Sequence, residues 1–100
     1  MMPEETVEKG WFYILTNERN TVLYAGSTSD LKKRVHLHRR RLLEGFSKKY
    51  NTHKLVYFEE HGNKHLAAQR ERQIKKAPRR KKLELINSTN REWKDLYTDL

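Results

Sequence analysis

The sequence predicts a small α+β fold: an antiparallel three-stranded sheet flanked by helices, in the order β-β-α-β-α-α. Three observations predict it. Two short apolar runs, WFYILT and TVLYAG, are separated only by the polar residues NERN, which is the pattern of a hairpin. A third run of the same kind, KLVYFEE, comes after a stretch whose apolar residues recur at helical spacing. The C-terminal third then keeps helical periodicity, interrupted once at Pro78.

Each element has its own warrant. Trp11–Thr16 is aromatic and β-branched enough for a buried strand. Asn17–Asn20 suits a turn, because Asn tolerates left-handed backbone. Thr21–Gly26 is the returning strand, with Gly26 ending it. Ser29 or Asp30 caps a helix from Leu31 to about Leu43, in which Leu31, Val35, His38 and Leu42 share a face and Arg34 and Arg41 lie on its flank. Gly45 is the expected stop. Lys54–Glu60 forms the third strand, followed by the turn HGN. Lys64–Ala77 reads as a helix with Leu66, Arg70, Ile74 and Ala77 on one side. Pro78 opens the next helix, which carries Leu83 and Ile86 inward. The tail adds a short helical turn capped by Asn90, with Trp93 docking back. Residues 1–9 read as a loose polar tail and residues 10–100 as one domain.

Composition narrows the partner. Of 100 residues, 35% are hydrophobic and 35% charged, so only a modest core is available. The 22 Lys and Arg outweigh 13 Asp and Glu, leaving a net charge of +9. Such an excess points to a polyanion, nucleic acid first and an anionic membrane surface second. The absence of cysteine excludes disulfides, thiolate metal sites and cysteine nucleophiles. No apolar run is long enough for a signal peptide or a membrane span, so a cytoplasmic protein is the expectation.

The chemistry-bearing residues fall in a definite order. Tyr24 follows Tyr13 by eleven positions, Arg34 follows Tyr24 by ten, and His38 follows Arg34 by four, one helical turn. Glu71 lies on a later helix, in AAQRERQIKK. This ordered set resembles the GIY-YIG nuclease superfamily, particularly its small stand-alone members, and the resemblance runs from about Trp11 to Leu96. EWKDL near the end is similar to the tail of those members. The first motif departs from the family pattern as WFY, with Trp11 at the glycine and Phe12 at the isoleucine. The second is YAG, with Ala25 at the isoleucine.

The resemblance implies a metal-dependent endonuclease that hydrolyses phosphodiester bonds. It also implies DNA rather than RNA, selection by structure rather than sequence, and a place in DNA repair. Such hydrolysis needs a base for water, positive charge at the non-bridging oxygens and help for the leaving oxygen. Glu71 is implied as ligand to one Mg²⁺ or Mn²⁺, with Glu59 and Glu60 as rivals. One carboxylate is enough for an ion that keeps its waters. Arg34 binds the scissile phosphate, a task for a planar, permanently charged guanidinium. One of Tyr13 and Tyr24 is implied as base and the other as the group that orients water or phosphate, with Tyr13 favoured as base; His38 is implied as a site residue that hydrogen-bonds a tyrosine or the phosphate. Lys75 and Lys76 line the phosphate path. Lys32, Lys33, Arg39 and Arg41, in the basic runs, supply a sequence-independent footprint. Asn87 and Asn90 stand where the family often has an Asn.

Each residue also has an ordinary reading. Glu71 pairs with Lys75 at i+4 on an exposed helix. The tyrosines form a cross-strand pair. His38 is a satisfied core histidine, Asn90 a cap, and the arginines a solvated face. Two other functions follow from these: a binding module on the same scaffold that does not cut, and a basic ribosome-associated protein whose four key side chains do not converge.

Overall fold

The alternation along Trp11–Leu15 decides the architecture. In the computed structural model, which describes residues 9–40, 45 and 49–100, β1 (Gly10–Thr16) is the central strand, and Phe12 to Leu15 have no exposed surface. It pairs antiparallel with β2 (Leu23–Thr28) on one side and β3 (Lys54–His61) on the other, in the order β2-β1-β3. Phe12 and Ile14 point to one face of the sheet, Tyr13 and Leu15 to the other. Burying each such side chain stabilises the fold by about 1.5–3 kcal/mol.

Each face is covered by different helices. The face of Phe12, Ile14 and Ala25 receives Ile74 from α2 (Lys64–Lys76) and Ile86 from α3 (Arg79–Thr89), with Trp93 docked at its margin. The face of Tyr13, Leu15 and Leu55 receives Leu31 and Val35 from α1 (Leu31–Arg39), with Leu96 and Tyr97 of a closing 3₁₀ turn (Leu96–Asp99) beside them. The order β-β-α-β-α-α is therefore as expected. Asp30 caps α1 by accepting from the Lys33 N–H, and Asn63 caps α2 by accepting from Leu66.

Four local expectations change. β2 begins at Leu23 rather than Thr21, because the Asn17 carboxamide accepts the N–H groups of Thr21 and Val22 and holds both in the turn. Gly26 does not end β2, which runs on to Thr28; it sits opposite Tyr13 in the ladder. Leu66 is exposed, and Ala67 with Ile74 forms the buried side of α2. The cap of the final turn is Asp95, not Asn90. α1 is capped at Arg40, and the expected extension through Leu43, with Arg41 and Leu42, lies outside the described residues.

A bulge in β3 fixes the C-terminal segment. Ile14 pairs with Tyr57 and Leu15 with Leu55, so Val56 is the extra residue. The Asn90 side chain donates to the Val56 carbonyl at 3.1 Å, and Asp95 accepts the Leu55 N–H at 3.2 Å. Asn90 also bridges to Lys94 through its carbonyl and its N–H. The outer edge of β3 is thereby engaged at Leu55 and Val56, where its backbone groups are not left as a template for another strand.

Candidate active site

Tyr13 and Gly26 face each other across β1 and β2. A Cβ at position 26 would lie 2.5 Å from the Tyr13 hydroxyl and 2.6 Å from its ring carbon, so only glycine lets the phenol cross there. The Tyr13 hydroxyl then sits 3.0 Å from His38 Nε2, and its ring lies 6.2 Å from Tyr24 and 5.8 Å from His38 between centroids. Tyr24 and His38 complete the trio at 5.1 Å. Tyr13 is wholly buried, His38 nearly so, and Tyr24 is half-exposed, forming the solvent side of the cluster.

Burial sets the charge states. It pushes the Tyr13 phenol well above its ordinary range; Tyr24 and Glu71 add to the rise and Arg34 opposes it. Burial, reinforced by the Arg34 guanidinium, pulls His38 down to about 4. A neutral imidazole and a protonated phenol therefore share the hydrogen bond between the Tyr13 hydroxyl and His38 Nε2. These influences also place Arg34 and Glu71 within electrostatic reach of Tyr13. Arg34 itself lines two neighbouring clefts, of about 410 and 330 Å³.

Glu71 reaches the same region from α2. Its carboxylate accepts the Ser27 hydroxyl at 2.5 Å and pairs with Lys75 at 2.6 Å. Ser27 lies on β2, one residue beyond Gly26. Tyr13, Tyr24 and His38 thus form one cluster beside β2, and Arg34 and Glu71 act on Tyr13 from α1 and α2. The i+4 pair with Lys75, the ordinary reading of Glu71, is present.

Glu59 and Glu60 stand elsewhere, on β3 beyond the central strand. Glu59 is held by Arg70 at 3.0 Å, by the Tyr57 hydroxyl at 2.5 Å and by His61 at 3.0 Å. Burial raises its carboxyl, but those bonds outweigh burial and hold it below its ordinary value. Glu60 pairs with Lys9 on the surface. Among the described residues no three His, Cys, Asp or Glu side chains cluster as a metal cage. The donors at the gathered site are the Glu71 carboxylate and the Ser27 hydroxyl, both hard oxygens. That set fits a divalent ion which takes one protein carboxylate and leaves its other positions to water and phosphate.

The basic residues divide. Lys75 lines a cleft of about 270 Å³ with Tyr24 and Lys82, and Lys33 lines one with Arg34. Lys32 lies on the other flank of α1, by His36 and Tyr97. Arg39 is engaged in structure: it pairs with Asp95 and stacks on the Tyr97 ring at 4.6 Å. Lys76 is exposed at the end of α2, and Arg41 lies outside the described residues. Asn90 is buried at the β3 bulge, and Asn87 accepts from the Trp93 indole, so both are occupied away from the tyrosines. Ser27 was missed by sequence reasoning, because one of the two serines of STSD carries no motif of its own. Trp11 packs at the margin of the Tyr13 face.

A three-stranded β2-β1-β3 sheet with two strand tyrosines, a helical Arg and His and a later helical Glu defines a nuclease-type catalytic domain. Residues 9–84 match the family model of the GIY-YIG catalytic domain, and the chain belongs to that family. It is also similar to a UPF0213 protein of Clostridium perfringens (strain 13 / Type A), with 42% identity over 66 residues, which is 66% of this chain and 71% of that protein. No solved structure matches it. Members of the family are generally endonucleases that use divalent metal ions.

Proposed function

We propose that the protein is a metal-dependent endonuclease that hydrolyses phosphodiester bonds, in DNA before RNA, and that selects by backbone shape rather than base sequence. The observation that carries this is the gathering of Tyr13, Tyr24, Arg34, His38 and Glu71 from four separate elements. Glu71, with the Ser27 hydroxyl bonded to it, would hold one Mg²⁺ or Mn²⁺. Bound there, the ion supplies Lewis-acid stabilisation of the phosphate oxygens. Arg34 offsets the charge gained by those oxygens.

The tyrosines supply the base. Sequence reasoning favours Tyr13. Its burial supports a different division of labour, in which the half-exposed Tyr24 meets the attacking water. As its phenolate, Tyr24 takes the proton of one water O–H bond and forms its own O–H bond, while the Tyr13–His38 hydrogen bond holds the neighbouring ring in place.

The test is cleavage of a panel of branched, single-stranded and duplex DNA, with RNA counterparts, in Mg²⁺, Mn²⁺ or EDTA. Glu71→Ala and Arg34→Ala should each lose at least about 100-fold in rate, the scale of removing a major electrostatic contact. Wild-type rates in both variants would refute the assigned site. A second reading is favoured by the closed Glu71–Lys75 pair: a module that binds nucleic acid without cutting. It requires tight, salt-sensitive binding with no cleavage in any metal, and binding that survives Glu71→Ala.

A further inference from the structure

We infer that the substrate backbone runs along the open edge of β2, in a track between that strand and α2 with a phosphate-holding cleft on each side of Glu71. The inference rests on the nuclease reading above and specifies the surface it uses.

One cleft, of about 330 Å³, is lined by Ser27 and Arg34 and by Lys64 and His65 from the first turn of α2. The other, of about 270 Å³, is lined by Tyr24, Lys75 and Lys82. β2 joins them, with Tyr24 towards one end of the strand and Ser27 towards the other. Glu71 sits at the seam, because it accepts from Ser27 of the first cleft and pairs with Lys75 of the second. No carboxylate lines either cleft. Among the described residues, no ion pair engages Lys64 or Lys82.

Helix geometry makes the arrangement linear. Lys64, Ala68, Glu71 and Lys75 recur at three- and four-residue intervals, so they occupy one face of α2. At 1.5 Å per residue, Lys64 and Lys75 are about 16 Å apart along the axis. One nucleic-acid strand advances about 3.4 Å per nucleotide, so the track spans roughly five nucleotides. Ala68 leaves room between the basic end and the carboxylate. Tyr24 in one cleft and the His65 imidazole in the other are the rings lining them, outnumbered by the cations Arg34, Lys64, Lys75 and Lys82, so the contacts are mainly to phosphate rather than to stacked bases. Lys64, His65 and Lys82 stand outside the motif residues and outside the basic runs on α1.

The experiment uses the full chain and a labelled oligonucleotide that the wild type cuts, with binding read by fluorescence anisotropy in EDTA across a salt series. Lys64→Gln/His65→Gln and Lys82→Gln should each weaken binding roughly 3- to 10-fold, and each should lower the log–log salt slope by about one. Lys94→Gln, a surface lysine paired with Glu92, serves as the control and should change neither. A second arm places single methylphosphonates along the strand. Neutral linkages on both sides of the cut should weaken binding to the wild type. The Lys64/His65 variant should become insensitive on one side and Lys82→Gln on the opposite side. Wild-type slopes in both variants, or loss of sensitivity on the same side in both, would overturn the track while leaving the nuclease assignment intact. A wild type that neither binds nor cuts any substrate removes both.

Discussion

His38 is the residue with the plainest solution signature. Its imidazole is buried and hydrogen-bonded to the Tyr13 hydroxyl, and burial pulls it down to about 4 in the fold against about 6.5 when unfolded. Between those values the unfolded chain binds the extra proton, so stability rises with pH through this window and falls as pH drops from 6.5 towards 4. The contribution is on the order of 2–3 kcal/mol. His38→Asn should flatten the urea midpoint against pH between 4 and 7; an unchanged slope would assign the loss to other groups. Gly26 offers a second handle. Gly26→Ala drives a methyl into the Tyr13 hydroxyl and should cost about 1–3 kcal/mol by thermal or denaturant melting. The tyrosines separate by kinetics: with Tyr24 meeting water, Tyr24→Phe should lose more rate than Tyr13→Phe, and the reverse order would return the base role to Tyr13.

At the scale of elements, the sequence made the strands and helices legible wherever apolar periodicity was strong. β1, β3 and α3 stand where WFYILT, KLVYFEE and RRKKLELIN place them. β2 slid by two residues because one carboxamide, Asn17, took over the N–H groups of Thr21 and Val22. Local side-chain-to-backbone bonds of that kind leave no periodic trace. The Tyr, Tyr, Arg, His, Glu constellation was legible only through its ordered resemblance to a known family, since no single one of those residues is specific. The Ser27–Glu71 bond, the Val56 bulge and the Arg39–Asp95 pair were not legible, because each joins residues remote in the chain with no motif around them. The bulge gives this scale its prediction. Asp95→Ala strips the Leu55 N–H and Arg39 of their partner and should cost about 2–4 kcal/mol. Amide exchange at Leu55 should accelerate with it, and unchanged protection there would detach Asp95 from the strand.

Across the molecule, a net charge of +9 acts together with one gathered site. The cations are not equivalent. Arg39 and Arg70 are committed to carboxylates within the fold, whereas Lys64 and Lys82 open onto the β2 edge. Raising salt from about 50 to 200 mM should therefore weaken nucleic-acid binding steeply, and Lys94→Gln should leave that dependence intact. In the described residues no helix is long and apolar enough to cross a membrane.

The family match stops at residue 84, yet the fold does not. Ile86 plugs one core, Asn90 and Asp95 staple the outer border of the sheet, and Tyr97 supports Arg39 of α1. A homology boundary is here no folding boundary. A protein trimmed to its recognisable motif would keep every candidate catalytic side chain and still lose the last sixteen residues that keep its β3 border from recruiting a stranger.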